Sequence, residues 1–220
     1  TECYKIFDAS QYLTNILVKD YITPFEMGFD LVISTMHKNL PGPQRAFIAS
    51  KKADEKWDKL RSAISTYVSN MHVFSIYSAG LLLNHLDELK QLSKNMLTNA
   101  VLLEQQLEGE NIPIVQRETD DTNPPTHHCW IKPPTKEKAF QLYLDLEKIG
   151  ILTNYRLLPY DIGYGLRLGL SGATMSGLTP NAIPDLCKII SRTYYDGYSE
   201  KLHKKSLSVI ESIKKRNQNS

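Results

Sequence analysis

The sequence predicts an α/β protein: a mainly parallel sheet with helices, followed by a long helix and a small α/β carboxyl-terminal domain. Three observations predict it. Short apolar runs near the start, "CYKIFDA", "FDLVIST" and "RAFIAS", are each bounded by turn chemistry. A long stretch from His72 to Glu110 keeps helical apolar spacing and contains no proline. From "NIPIVQ" onward, strand-like and helix-like segments alternate.

Taken in order, "CYKIFDA" reads as a buried strand ending at Asp8, and "FDLVIST" as a second ending near Thr35. Both are apolar enough to expect neighbours on each edge. "RAFIAS", after a Pro-Gly-Pro turn, reads as a third, and "ADEKWDKLRSAIS" as a helix. The long helical stretch that follows is a natural bridge between two domains. Beyond it, "DDTNPPT" is a polar, proline-bearing loop and "THHCWIKP" is strand-like. "TKEKAFQLYLDLEKIG" is an amphipathic helix ending at Gly150, and "ILTNYRLLP" and "GLRLGLS" are strands. "TPNAIPDLCKIISRTYYDG" is a helix with Thr179 as N-cap candidate and Pro180 in its first position. The basic tail "KLHKKSLSVIESIKKRNQNS" reads as a solvated terminal helix that frays. The expected divisions are 1–90, 91–200 and a tail over 201–220.

Composition narrows the function. A net charge of +2 gives no argument for nucleic acid or a membrane surface as partner. Cys3, Cys129 and Cys187 are widely spaced and odd in number, which fits reduced thiols in a cytoplasmic protein better than a disulfide framework or a zinc site. No spacing of His, Cys, Asp and Glu suggests a metal. The chain begins without Met inside a strand-like segment, so it is expected to start mid-domain.

Chemistry concentrates in "STMHKNLPGPQ", where Lys38 follows an apolar run and precedes a stiff turn. A lysine held so is either a strand-end residue facing water or an amine that forms a Schiff base with a carbonyl. Asp8 ends another strand expected in the same sheet, and ligands of open α/β sheets gather at the carboxyl ends of strands. Lysine and carboxylate together match the needs of pyridoxal 5'-phosphate. The lysine holds its aldehyde as an imine, and the carboxylate keeps the pyridine nitrogen protonated. The alternative for Asp8 is a turn or cap residue. Arg167 in "GLRLG" is either paired structurally or receives a substrate carboxylate through its planar fork.

The segments "FDAS", "STMHKNLPGPQ", "VSNMH", "LSKNMLTNAVLLEQQL" and "GLRLGLSGATMSGLT" follow one another as in serine hydroxymethyltransferases and their relatives. The chain resembles the carboxyl-terminal part of these enzymes of the aspartate-aminotransferase fold from Cys3 to about Gly197. On that resemblance, residues 1–90 are the end of a pyridoxal-phosphate-binding large domain. The resemblance implies that Lys38 binds the cofactor covalently, Asp8 pairs with its ring nitrogen and Arg167 grips the carboxylate of a small amino-acid substrate. It makes His37, Ser34 and Thr35 cofactor-adjacent, and His37 a candidate for the catalytic set. Ser69 and Asn70 fall where a loop reaches the cofactor phosphate of a neighbouring subunit. Gln11 stands where the family usually has a histidine near the cofactor, and Ser176 where it often has an arginine before a glycine. Tetrahydrofolate as co-substrate is the family's pattern; the alternative is a threonine aldolase or transaldolase. A truncated, non-catalytic subunit or scaffold is the reading from another class. The family's phosphate loop and stacking aromatic have no candidate before Lys38. They are expected from a partner chain carrying the amino-terminal half, or from a longer protein, with a homo-oligomer, most simply a dimer, sharing residues between sites.

The other candidates are bland. At most one of His127 and His128 is expected to reach a site, because neighbours on a strand point oppositely. His72 reads as a cap, His85 and His203 as helix-surface residues, and Tyr155, Tyr160 and Tyr164 as core or interface aromatics.

Overall fold

The computed structural model describes residues 3–116 and 126–217. Most of the expected loop "DDTNPPT" and the end of the tail lie outside the described residues. The chain divides into two compact units, Thr1–Ser93 and Lys94–Ser220.

The first unit holds a three-stranded sheet in the order β1-β2-β3, with β1 Ile6–Asp8, β2 Leu31–Thr35 and β3 Ala46–Ser50. β1 and β2 run parallel, Asp8 opposite Ile33, and the crossover between them carries the short helix α1, Leu13–Leu17. β2 and β3 run antiparallel, Thr35 opposite Ala46. The sheet in this unit is therefore mixed rather than mainly parallel. The segment between Thr35 and Ala46 is too short for a crossover helix, so the chain can only turn back. Among the described residues β1 is an edge strand and Ile6 is exposed, against the expectation of a neighbour on each side.

Three helices follow: α2 Glu55–Tyr67, α3 Val73–Leu82 and α4 Leu86–Gly109. Asp54 caps α2 by accepting from the Trp57 N–H at 3.0 Å, satisfying one of the free donors of the first turn. The expected single long helix is interrupted by a tight turn at Leu83–His85. Leu13, Leu40 and Leu89 form the core of this unit, with Met36, Phe47, Leu82 and Leu92 packed against it.

The second unit is a sheet in the order β4-β6-β5, with β4 His128–Ile131, β5 Asn154–Leu158 and β6 Gly163–Gly169, all antiparallel. Its helices are α5 Lys136–Lys148, α6 Leu170–Met175, α7 Ile183–Asp196 and α8 Glu200–Asn217. Ala139, Leu142, Leu146 and Ile149 recur along α5 at helical spacing and are all buried; Ile183, Cys187, Ile190 and Tyr194 do the same on α7. Thr135 caps α5 through the Lys138 N–H at 3.1 Å, and Gly150 ends it at φ +85°, a conformation glycine adopts without strain. Thr179 and Pro180 open a single 3-10 turn that leads into α7.

Two expectations fail here. The tail is not a solvated helix: Leu202 and Ile213 of α8 belong to the main core, and Ser206 is fully buried between them in sequence. Its lysines cover only the outward face. The rings of His127 and His128 do not diverge; they lie 4.0 Å apart and both residues are buried. His127 precedes the first residue of β4, so strand alternation does not apply to it.

Candidate active site

Because β1 and β2 are parallel, their carboxyl ends open on the same edge of the sheet. Asp8 is the last residue of β1, and the chain leaving β2 carries Met36, His37 and Lys38. Asp8, His37 and Lys38 are exposed and Gln11 is half-buried. Burial among the described residues therefore does not desolvate Lys38. What the fold supplies to this lysine is position.

The residues on either side of Lys38 are fixed. The Met36 N–H donates to the Arg45 carbonyl at 2.7 Å, and the Gly42 N–H donates back to the Met36 carbonyl at 2.9 Å, closing the loop. A Cβ at Gly42 would lie 2.5 Å from that carbonyl oxygen, so the loop closes only with glycine there. Asn39 and Leu40, next to the lysine, are buried. Asn39 Oδ1 accepts from the Thr14 N–H at 2.7 Å, and its carbonyl accepts from Thr14 Oγ1 at 2.8 Å. Asn15, the next residue of α1, donates to Ser93 Oγ of α4 at 2.7 Å, and Ser93 in turn donates to Asp20. The lysine thus projects from a loop anchored to α1, which is itself tied to α4.

Asp8 is equally constrained. Its Oδ1 accepts from the Ser10 N–H at 2.9 Å, an Asx turn, which is the turn role its sequence allowed. The Ser10 hydroxyl and its amide hold the Asp8 carboxyl below the usual carboxylate range, with Lys38 adding an attractive charge. Ser34 is buried and its Oγ donates to the Thr35 carbonyl at 3.1 Å. Thr35 Oγ1 is buried with no hydrogen-bond partner among the described residues.

Arg167 lies in the second unit, at the centre of the middle strand β6, opposite Trp130 on β4 and Asn154 on β5. Leu166 and Leu168 beside it are buried, so alternation turns the half-buried Arg167 to the other face. Tyr155 and Tyr164 stack at 5.5 Å beside Phe140 and Tyr143 of α5. Tyr160 is apart from them, at the tip of the β5–β6 hairpin and 91% exposed. Of the remaining candidates, His72 occupies the N-cap of α3 at φ +44° without a side-chain cap bond, and its amide donates to Asn70 Oδ1 at 2.8 Å.

The residues that sequence reasoning passed over are Ser10, Thr14, Asn39 and Gly42. Only Ser10 and Gly42 carried a visible signal, the Asp-x-Ser pattern of an Asx turn and the Pro-Gly-Pro of a tight one.

No protein-family model matches the chain. Among curated proteins it is similar to the serine hydroxymethyltransferase of Thermoplasma acidophilum, 26% identical over 86% of the chain and 46% of that protein. It is similar to that of Thermococcus onnurineus, 27% identical over 88% and 47%, and to that of Wolbachia pipientis, 28% identical over 96% and 51%. Among solved structures it superposes on an L-threonine transaldolase from Pseudomonas fluorescens with a TM-score of 0.86 at 20% identity, covering 96% of this chain and 49% of that one. The chain spans about half the length of the relatives it matches. It is serine hydroxymethyltransferase-like in sequence, corresponds to the carboxyl-terminal part of those proteins, and has the fold of the matching part of the transaldolase.

Proposed function

We propose that this chain is the carboxyl-terminal part of a pyridoxal-phosphate-dependent transferase that interconverts small amino acids such as serine and glycine. One observation carries the reading: Asp8, at the end of β1, and Lys38, on the loop leaving β2, stand on the same edge of a parallel strand pair. The relatives' names support the same reading.

The residues present fit the cofactor. Lys38 is exposed on a braced loop, available to an aldehyde, and Asp8 is a carboxylate whose charge is supported. The orphaned Thr35 Oγ1 at the end of β2 offers a further polar contact at that edge. Bound there, the cofactor supplies an electron-accepting ring. The protein's part is to hold and place. Lys38 would hold the aldehyde carbon, Asp8 would hold a proton on the ring nitrogen, and His37, Ser34, Thr35 and Gln11 would border the ring. Arg167 would receive the substrate carboxylate, a role its planar fork suits. The phosphate and the ring face would be held by the amino-terminal half of the protein or by a second subunit, with Ser69 and Asn70 reaching towards the neighbour's site. Tetrahydrofolate is proposed as the one-carbon acceptor.

A second reading is favoured by Gln11 and by the transaldolase likeness: transfer between threonine and another aldehyde without folate. Serine-to-glycine conversion measured with and without tetrahydrofolate separates the two. The test of the class itself is Lys38→Ala. The complete protein should show a cofactor absorption band that borohydride fixes covalently, and the variant should lose covalent fixation. Unchanged fixation would place the cofactor elsewhere and overturn the proposal.

A further inference from the structure

Ser10 is 9% exposed and lies two residues beyond Asp8, at the junction of β1 and α1. Its Oγ accepts from the Thr35 N–H on β2 at 3.2 Å, and its own amide donates to Asp8 Oδ1 at 2.9 Å. A hydroxyl has one proton to give and two lone pairs to receive. Since the Thr35 amide is the donor in the first bond, the hydroxyl proton is not used there, and the nearby Asp8 carboxylate is the charge it favours. Ser10 therefore holds Asp8 through its amide and the neighbouring strand through its hydroxyl oxygen. The strand end it grips is the one from which the Lys38 loop departs.

We propose that Ser10 is a positioning residue: it bridges the Asp8 carboxylate to the β2 backbone at Thr35, fixing the orientation of Asp8 relative to the lysine loop. The role rests on the proposed use of Asp8 against the cofactor ring nitrogen and deepens it. An exposed carboxylate at a strand end would otherwise turn freely in solvent. It would then present its charge to the ring only part of the time.

Lys38 is the charge that acts on Asp8, and Ser10 contributes more than Lys38 to keeping it ionised. With the carboxyl held below its unfolded value, this stabilisation is present above the unfolded value and is lost as pH falls through the folded one. Alanine at position 10 removes a donor to the charged form, so the Asp8 titration moves upward. Threonine keeps the hydroxyl and should restore it.

The test uses the complete protein, with aspartate labelled by carbon-13 at the carboxyl, and compares wild type, Ser10→Ala, Ser10→Thr and Lys38→Ala. The expected result is an upward shift of the Asp8 carboxyl titration in Ser10→Ala, with native circular dichroism, and its return in Ser10→Thr. Affinity for pyridoxal phosphate should fall about fivefold in Ser10→Ala, the scale of one hydrogen bond to a site group, and the acid limb of cofactor retention should move with the Asp8 titration. An Asp8 titration identical in wild type and Ser10→Ala overturns the bridge. A shifted titration with unmoved cofactor retention reduces Ser10 to a local turn residue and overturns the positioning role. Failure of the underlying function looks different: wild type itself would take up no cofactor at any pH, and the positioning role would fall with it.

Discussion

Asn39, the residue after Lys38, exchanges two hydrogen bonds with Thr14: its side-chain oxygen takes the Thr14 amide at 2.7 Å and its carbonyl takes the Thr14 hydroxyl at 2.8 Å. Both residues are fully buried. The pair fastens an exposed lysine by burying its neighbour, so the amine keeps solvent access while its backbone is fixed. Asn39→Ala leaves the Thr14 amide buried and unsatisfied, at a cost of about 1–3 kcal/mol. Urea unfolding should show that loss, and the rate of borohydride fixation of pyridoxal phosphate should fall with it. Asn39→Asp keeps the acceptor and should recover part of the stability.

Arg167 is placed by the middle strand of an antiparallel sheet rather than by a loop, which suits its proposed role of receiving a carboxylate in one geometry. Arg167→Lys keeps the charge and loses the fork. Removing a desolvated partner of a carboxylate costs roughly 2–5 kcal/mol of ligand binding. Amino-acid affinity is expected to drop by that amount in Arg167→Ala and by somewhat less in Arg167→Lys, while cofactor affinity holds. Spectrophotometric titration with glycine and with pyridoxal phosphate reads the two separately; equal losses would make Arg167 a structural residue.

The parts of this fold that were legible in the sequence are those with a local signature. The apolar run ending at Asp8, the amphipathic spacing of α5 and α7 and the Gly150 stop all follow from residue pattern alone. Strand direction at β3 was written in the short gap between Thr35 and Ala46, not in the residues of either strand, so a reading of the apolar runs alone missed it. The burial of α8 was obscured by its lysines: Leu202, Ser206 and Ile213 form a narrow buried stripe in a helix that is basic elsewhere. At the site, Lys38 and Asp8 stood out by residue type and by position at strand ends. Asn39 and Thr14 did not, since their importance lies in bonds between segments distant in sequence.

The thiols should separate by burial. Cys129 and Cys187 are buried in the core of the second unit, and Cys3 is exposed. Burial, with the Glu110 carboxylate adding to it, pushes the Cys187 thiol up to about 11. Only the thiolate attacks a disulfide reagent. At pH 8 one thiol, that of Cys3, is expected to react promptly with a chromogenic disulfide, and all three after denaturation. Cys3→Ser should abolish the prompt phase.

Leu202 tests the docking of α8. It is 6% exposed and part of the main core of the second unit. Leu202→Ala should cost about 2–5 kcal/mol, as for a leucine removed from a packed interior. Lys201→Ala, one position away on the exposed face, should change stability by less than about 0.5 kcal/mol. Thermal unfolding of the two variants distinguishes a docked helix from a solvated tail; equal melting temperatures would mean that α8 contributes nothing to the core.

The helix α3 raises a different question, because none of its 10 residues is buried. It is apolar throughout most of its length, with Phe74 89% and Tyr77 66% exposed. A helix of this length is marginal in water without tertiary packing. A contiguous apolar face of this kind marks an association surface. The edge strand β1, with Ile6 exposed and one side of its backbone without a neighbouring strand among the described residues, adds a second adhesive element to the same unit. The 220-residue chain is therefore expected to cover these surfaces by associating with itself, and sedimentation velocity should show dimers or larger species at micromolar concentration. Lysine at positions 74 and 77 charges the face without removing helix propensity. The double variant Phe74→Lys, Tyr77→Lys should shift the distribution towards monomer while leaving the second unit, with its own core, folded. A wild-type chain that sediments as a monomer at every concentration would show that α3 holds its helix without a partner.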